Sequence, residues 1–163
     1  MKLRNMASVY ITYGDEILLL YRQGSRVVNN TYIASAGGHF EKEELNAPKE
    51  CVLRELKEEL GLTEEAFQTF DLRYITLRRK NNEIRQIYYY FGELKDKNLI
   101  GESDEGKLKW VKFDEALSYN MPFTAYGVVE HYLSIGKDTN DLYAGTTMES
   151  GMVFHELKEF EDK

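Results

Sequence analysis

Residues 37–62 read Gly-Gly-His-Phe-Glu-Lys-Glu-Glu-Leu-Asn-Ala-Pro-Lys-Glu-Cys-Val-Leu-Arg-Glu-Leu-Lys-Glu-Glu-Leu-Gly-Leu. The order predicts a break at Gly37-Gly38 followed by one helix. Asn46 is the expected N-cap, and Pro48 falls in the first turn, where a missing N–H leaves nothing unpaired. Glu50 to Leu60 are mostly strong helix formers, and Gly61 closes the helix as a left-handed cap. At about 100° per residue Leu53, Leu56 and Leu60 share one stripe. Glu55, Glu58 and Glu59 fall nearly opposite, at i, i+3 and i+4.

Three carboxylates on one helix face repel one another. They also stand toward the C-terminus, where the helix dipole disfavours anions. An arrangement unfavourable on both counts invites a cation, and hard carboxylate oxygens suit Mg²⁺ or Mn²⁺. A backbone carbonyl at Gly37 or Gly38 could complete such a shell, since neither residue has a side chain to block it. Taken alone, the three glutamates read more readily as a solvated acidic face, since charged helix faces are common.

Around this segment the chain is strand-rich. Residues 7–13 and 17–21 are β-prone and flank Gly14-Asp15, which predicts a hairpin. Residues 22–31 read as a loop, and 32–36 as a short extended stretch. Residues 71–79 and 84–94 predict two strands joined at Asn81-Asn82, and 108–113 another. Asp114 is a possible cap for a short helical turn, 122–134 predict a second helix, and 152–157 a last strand. Strands outnumber helices without a regular alternation, so the expected class is α+β with a mixed sheet, in a single domain spanning 1–163.

The 163 residues hold 28 acidic and 21 basic side chains, a net charge of −7. That balance excludes a general binder of nucleic-acid polymers or anionic membranes. It permits a phosphorylated ligand bridged by a cation. The lone Cys51 excludes an intramolecular disulfide and a cysteine zinc centre. No apolar run nears the roughly 20 residues of a membrane span, and no apolar stretch follows the basic Met1–Asn5 start. The expected compartment is the cytoplasm.

The central segment resembles the Nudix hydrolase box: a Gly, five residues, a Glu, seven residues, then Arg-Glu-apolar-x-Glu-Glu-x-Gly-apolar. Gly38 and Glu44 match its first half, and Arg54, Glu55, Glu58, Glu59 and Gly61 its second. Nine residues separate Glu44 from Arg54 here, which puts the role of Glu44 in question. The resemblance implies a Nudix-type α/β/α sandwich with a mixed β-sheet. It implies hydrolysis of a nucleoside diphosphate linked to another group, with Mg²⁺ (or Mn²⁺) as cofactor and a small nucleotide as substrate. Glu58 and Glu59 are then metal ligands, Glu55 a further ligand or the base, and Arg54 the residue that orients them, with Gly38 offering a carbonyl. The family often adds a carboxylate after the box, for which Glu105 is the choice, with Glu102 and Asp104 as rivals. Arg22 and Arg26 follow the second strand and suit terminal phosphates. His39 either lines the pocket or is a bystander. One face of the Tyr88–Tyr90 run is expected in the core.

The chain's size and its C-terminal strand look like the MutT-like branch, which cleaves nucleoside triphosphates, oxidised purine forms included, to the monophosphate and pyrophosphate. The rivals are a nucleoside-diphosphate-sugar or dinucleoside polyphosphate hydrolase, and a silent nucleotide-binding regulator. The complete acidic run argues against silence. An isoprenoid diphosphate isomerase would need a nucleophilic cysteine elsewhere than Cys51. Many relatives are dimers, so a homodimer is possible.

Overall fold

The hairpin predicted around Gly14 joins β1 (Lys2–Tyr13) to β2 (Glu16–Arg22), with Gly14 at φ +58° in the turn. The computed structural model describes residues 1–23 and 30–162. Strand β1 starts five residues earlier than its β-prone run because β6 (Glu83–Leu94) pairs with it in parallel from Lys2↔Glu83 to Thr12↔Glu93. Tertiary pairing outweighs the weak strand preference of Lys2 to Asn5.

Among the described residues nine strands form one mixed sheet, in the order β3-β2-β1-β6-β5-β8-β9. Here β3 is Thr31–Ile33, β5 Phe67–Lys80, β8 Tyr143–Met148 and β9 Gly151–Glu156. Strand β4 (Ala36–His39) pairs with the first half of β1, and β7 (Lys107–Lys112) with β2. The β5–β6 hairpin turns on Asn81 and Asn82, both left-handed (φ 52° and 57°), a conformation that asparagine tolerates and a right-twisted hairpin requires.

Two helices cover the sheet. On one face α1 (Pro48–Leu60) sets Cys51, Val52 and Leu56 against Ala7, Val9, Ile11, Tyr90 and Leu94. On the other, α2 (Phe123–Ser134) sets Val128 and Val129 against Tyr10, Tyr74, Tyr89 and Phe91. Because successive strand residues point to opposite faces, Val9, Tyr10 and Ile11 serve both cores and all are fully buried. This is the expected α/β/α sandwich. The tyrosine run behaves likewise: Tyr89 lies in the α2 core and Tyr90 in the α1 core, so both faces are internal rather than one.

Several local expectations need correction. Gly37-Gly38 do not break the chain but lie inside β4, because the edge of β1 recruits them: Ser8↔Gly37 and Ala7↔Gly38. The N-cap of α1 is Ala47, not Asn46, and no side chain caps it; Pro48 at the first position fixes the start instead. Gly61 is left-handed (φ 67°) and its N–H reaches Lys57 O at 3.0 Å, as expected. Asp114 caps nothing: the short turn Ala116–Ser118 has Glu115 at its N-cap. Strand β8 had no expectation at all.

Candidate active site

Glu44 and Arg54 meet despite the long interval between them. Residues 42–44 form a short 3₁₀ turn, and Glu44 is buried with its carboxylate against the guanidinium: Nε–Oε1 2.6 Å and Nη2–Oε2 3.0 Å. Such paired charge-assisted bonds hold the Glu44 carboxyl down at about 2, chiefly through Arg54. The same bonds push the Arg54 guanidinium's pKa up. The extra residues are absorbed at Leu45–Ala47, where Ala47 N–H donates to Glu44 O at 2.8 Å.

Arg54 also gathers its own helix. Its Nη1 donates to Glu55 Oε1 at 2.9 Å and to Glu58 Oε2 at 3.2 Å, and its Nη2 to the His39 carbonyl at 3.1 Å. One side chain therefore ties α1 to the 3₁₀ turn and to β4.

The three helix glutamates are not equivalent, and they are not a uniformly solvated face. Glu58 is 57% exposed, whereas the Glu55 side chain is 14% exposed. The reason is β4. A Cβ on Gly38 would overlap the Glu55 carboxylate, and a Cβ on Gly37 would meet Ala7 O and Ser8 Oγ at 2.6 Å. Gly38 opens the space that the Glu55 carboxylate fills, and Gly37 lets β4 lie close against β1. Glu59 Oε2 accepts from Gly37 N–H at 3.2 Å. The Gly38 carbonyl lies 3.9 Å from Cys51 Sγ.

Electrostatics follow burial. Desolvation pushes the Glu59 carboxyl up to about 7, with the charges of Glu55 and Glu105 adding, opposed by Gly37 N–H and Arg22. Desolvation also raises the Glu55 pKa, against the pull of Arg54. Glu59, with no ion-pair partner among the described residues, and Glu55, shared with Arg54, are a donor set of hard oxygens whose charge a divalent cation would neutralise. Among the described residues no three Asp, Glu, His or Cys side chains are already assembled around one point, since Arg54 bridges Glu55 and Glu58.

Arg22 and Glu105 pair across β2 and the approach to β7, Nη2–Oε2 3.0 Å, close enough to Glu59 for both charges to act on it. Glu105 thus sits beside the acidic cluster, paired with an arginine. Among the described residues the Glu102 and Asp104 side chains form no ion pair, whereas Glu105 does. Arg26 lies outside the described residues. Cys51 is buried in the α1 core and burial pushes its thiol up to about 12, which fits an inert packing role.

A cavity of about 410 Å³ opens next to Gly37, Gly38 and Arg22, on the α2 side of the sheet. His39 lines it and accepts from Arg4 Nε. The floor is apolar, with Ile33, Ala34, Ile87 and Ala125. Arg4, Arg78, Arg85 and Tyr10 also line it, and none was expected from the sequence. Strand alternation alone would have put Arg4 and Tyr10 on one face of β1. Their meeting with β5 and β6 depends on strand register, which no local signal carries.

The sheet, the helix and its glutamates define a Nudix-type hydrolase fold. The NUDIX domain family matches residues 2–132, and the chain belongs to that family. It is accordingly a hydrolase acting on pyrophosphate bonds. Solved structures with the same fold include a MutT protein of Bacillus halodurans (TM-score 0.66, 23% identity, covering 94% of this chain and 97% of that one). A MutT protein of Methanosarcina mazei Go1 superposes with TM-score 0.68 at 20% identity, covering 85% and 97%. The NUDIX domain of Shewanella oneidensis NrtR, crystallised with ADP ribose, gives 0.65 at 14% identity over 85% and 90%. Nudix enzymes generally use a divalent metal. No helix among the described residues is long and apolar enough to cross a membrane.

Proposed function

We propose that the chain is a Mg²⁺-dependent pyrophosphohydrolase whose leading substrate is a nucleoside triphosphate, oxidised purine forms included, split to the monophosphate and pyrophosphate. The observation that carries this reading is the pairing of Glu55 and Glu59 with the side-chain-free backbone of Gly37 and Gly38. A divalent ion bound there would supply charge neutralisation at the diphosphate oxygens and lower the pKa of the attacking water. Glu55 and Glu59 would hold it, with the Gly38 carbonyl as a further oxygen. Glu58, now bonded to Arg54, would be a third ligand. Arg54 keeps Glu55 and Glu58 oriented, and Glu44 fixes Arg54 from behind. The proton of the attacking water passes to a glutamate of this cluster. Arg22, beside the cavity, is suited to a non-bridging phosphate oxygen. Glu105 screens Arg22 and adds a carboxylate at the rim.

The test is a panel of nucleoside triphosphates, nucleoside-diphosphate-sugars and dinucleoside polyphosphates with Mg²⁺ and with Mn²⁺, products identified by mass. Release of pyrophosphate from a triphosphate, abolished by chelation and restored by either ion, is the expected result. Full turnover in protein shown by elemental analysis to be metal-free would overturn it.

A further inference from the structure

Three arginines stand side by side across the middle of the sheet. Arg4 of β1 is the register partner of Arg85 of β6, and Arg85 is the partner of Arg78 of β5. All three line the cavity. Like charges directly opposite on neighbouring strands destabilise a sheet. The row has little to offset this. Glu83 accepts from Arg85 Nε at 2.8 Å and lies 3.7 Å from Arg4 Nη1, so one carboxylate serves two arginines. Arg78 has no carboxylate partner among the described residues and rests over the Phe123 ring, 5.4 Å from its centroid. A chain with net charge −7 has thus placed three arginines served by one carboxylate on one cavity wall.

A second observation concerns the same cavity. Tyr10, fully buried, lines it, and its hydroxyl has no hydrogen-bond partner among the described residues. A buried donor without a partner is costly unless something else occupies the site. Tyr10 and Arg4 lie on the same face of β1 six residues apart, roughly 20 Å at about 3.3 Å per residue. Gly38, opposite Ala7, falls between them, roughly 10 Å from the arginine level by the same rise. Arg4 reaches back to His39, but Arg85 and Arg78 make no hydrogen bond to that edge among the described residues, and one phosphate cannot touch the glycine pair and all three arginines. A ligand with two anionic groups and a spacer can.

We infer that Arg4, Arg85 and Arg78 form a second anion subsite, which takes a phosphate or carboxylate carried by the substrate away from the bond that is cut. The Tyr10 hydroxyl then serves an uncharged polar group of the substrate at the opposite end. The subsite itself stands on geometry. That its occupant is part of a substrate rests on the proposed hydrolysis, and it shifts the preferred substrate from a plain triphosphate toward a diphosphate with a charged second moiety.

Calorimetric titrations in Mg²⁺ with probes that contain no phosphoanhydride test it without turnover. One pair is adenosine 5′-monophosphate and adenosine 3′,5′-bisphosphate. The other is glucose 1-phosphate and glucuronic acid 1-phosphate. The doubly anionic member of at least one pair should bind about tenfold tighter or better, and the pair that shows it identifies phosphate or carboxylate as the group taken. R78A should reduce that advantage to within about twofold while leaving the singly anionic probe's Kd nearly unchanged. R79A, which removes the same charge from the opposite, exposed side of β5, should keep the advantage. Equal binding within both pairs in the wild type, or an advantage that survives R78A and R85A, overturns the inference. If the advantage is present and lost in R78A while no nucleotide of the panel is hydrolysed, the subsite stands and the proposed reaction falls.

Discussion

Arg54 and Arg78 are the same side chain in opposite circumstances. Arg54 is enclosed by Glu44, Glu55, Glu58 and the His39 carbonyl. Arg78, with Arg85 and Arg4 beside it, has an aromatic ring and, among the described residues, no acidic partner. The first is an internally satisfied network, which fixes geometry. The second is unsatisfied, as a ligand site must be before its ligand arrives. The glutamates divide in the same way: Glu44 has a full counter-charge and Glu59 has none in contact among the described residues. Stability and function are therefore separable on this molecule, residue by residue, by asking which charges are already paired.

The largest effect should come from the unpaired side. Glu59→Gln keeps the shape and removes the charge, and kcat for the best substrate of the panel should fall about 10²-fold or more, the scale of losing a charge-stabilising or proton-accepting group. Glu50→Gln, in the first turn of α1 and outside the cluster, should leave kcat within about twofold. Comparable small losses in both would erase the distinction between paired and unpaired glutamates.

Gly38→Ala sharpens the comparison from the backbone. The added methyl enters the space of the Glu55 carboxylate, so either β4 moves or Glu55 turns away from it. Overpacking of this kind costs about 1–3 kcal/mol, read as a lower urea midpoint at unchanged slope. Activity should fall with it, because Glu55 no longer meets the Gly37-Gly38 edge.

Glu44→Gln is the probe of the closed network. Arg54 loses its shortest bond but keeps Glu55 and Glu58, so the expected loss is about 2 kcal/mol, less than for a fully buried pair left with no partner. Urea denaturation at pH 7 measures it. A negligible change would mean that the pairing is incidental and that Glu55 and Glu58 alone hold Arg54. The repulsion expected among the three helix glutamates is softened by this arginine. Neutralising Glu58 therefore removes a bond as well as a like charge, and should change stability little.

The sequence makes α1 legible because its signals are local: Pro48 to start, Gly61 to stop, and the 3.6-residue period between. The glutamate box is legible for the same reason, since one helix presents it. Gly37-Gly38 mislead because glycine punctuates most sequences, whereas here the missing side chains let β4 lie close to β1 and admit the Glu55 carboxylate to an otherwise ordinary strand. The interval between Glu44 and Arg54 raises a doubt that spacing cannot resolve, because a tight turn at Leu45–Ala47 takes up residues without moving the ends apart. Strand β8 escapes notice because its parallel pairing with β5 joins residues about seventy positions apart in sequence. The arginine row is invisible for a stronger reason. It exists only once β1, β6 and β5 are in register, and no segment of the chain contains it.

The smallest expected effect is the pH dependence of the metal-free protein, and it opposes Glu44 to Glu59 directly. For Glu44 the folded carboxyl lies at about 2 against an ordinary 4.5. Between these values the unfolded chain holds more protons, so stability rises with pH through that window and is lost as pH falls through it. For Glu59 the folded carboxyl lies at about 7 against the same 4.5. Between 4.5 and 7 the folded chain holds more protons, so stability falls as pH rises and the loss is complete above 7. Allowing for solvent screening of a partly exposed group, the fall is about 1 kcal/mol. Urea midpoints in chelator, from pH 4 to pH 8, should decline across the upper half of the range in the wild type and stay flatter in Glu59→Gln. Mg²⁺ should restore stability most at the alkaline end, where the Glu59 carboxylate is ionised and free to bind it. A wild-type profile as flat as that of Glu59→Gln would mean that Glu59 is as well compensated as Glu44, and the division between the two sides of the site would not hold.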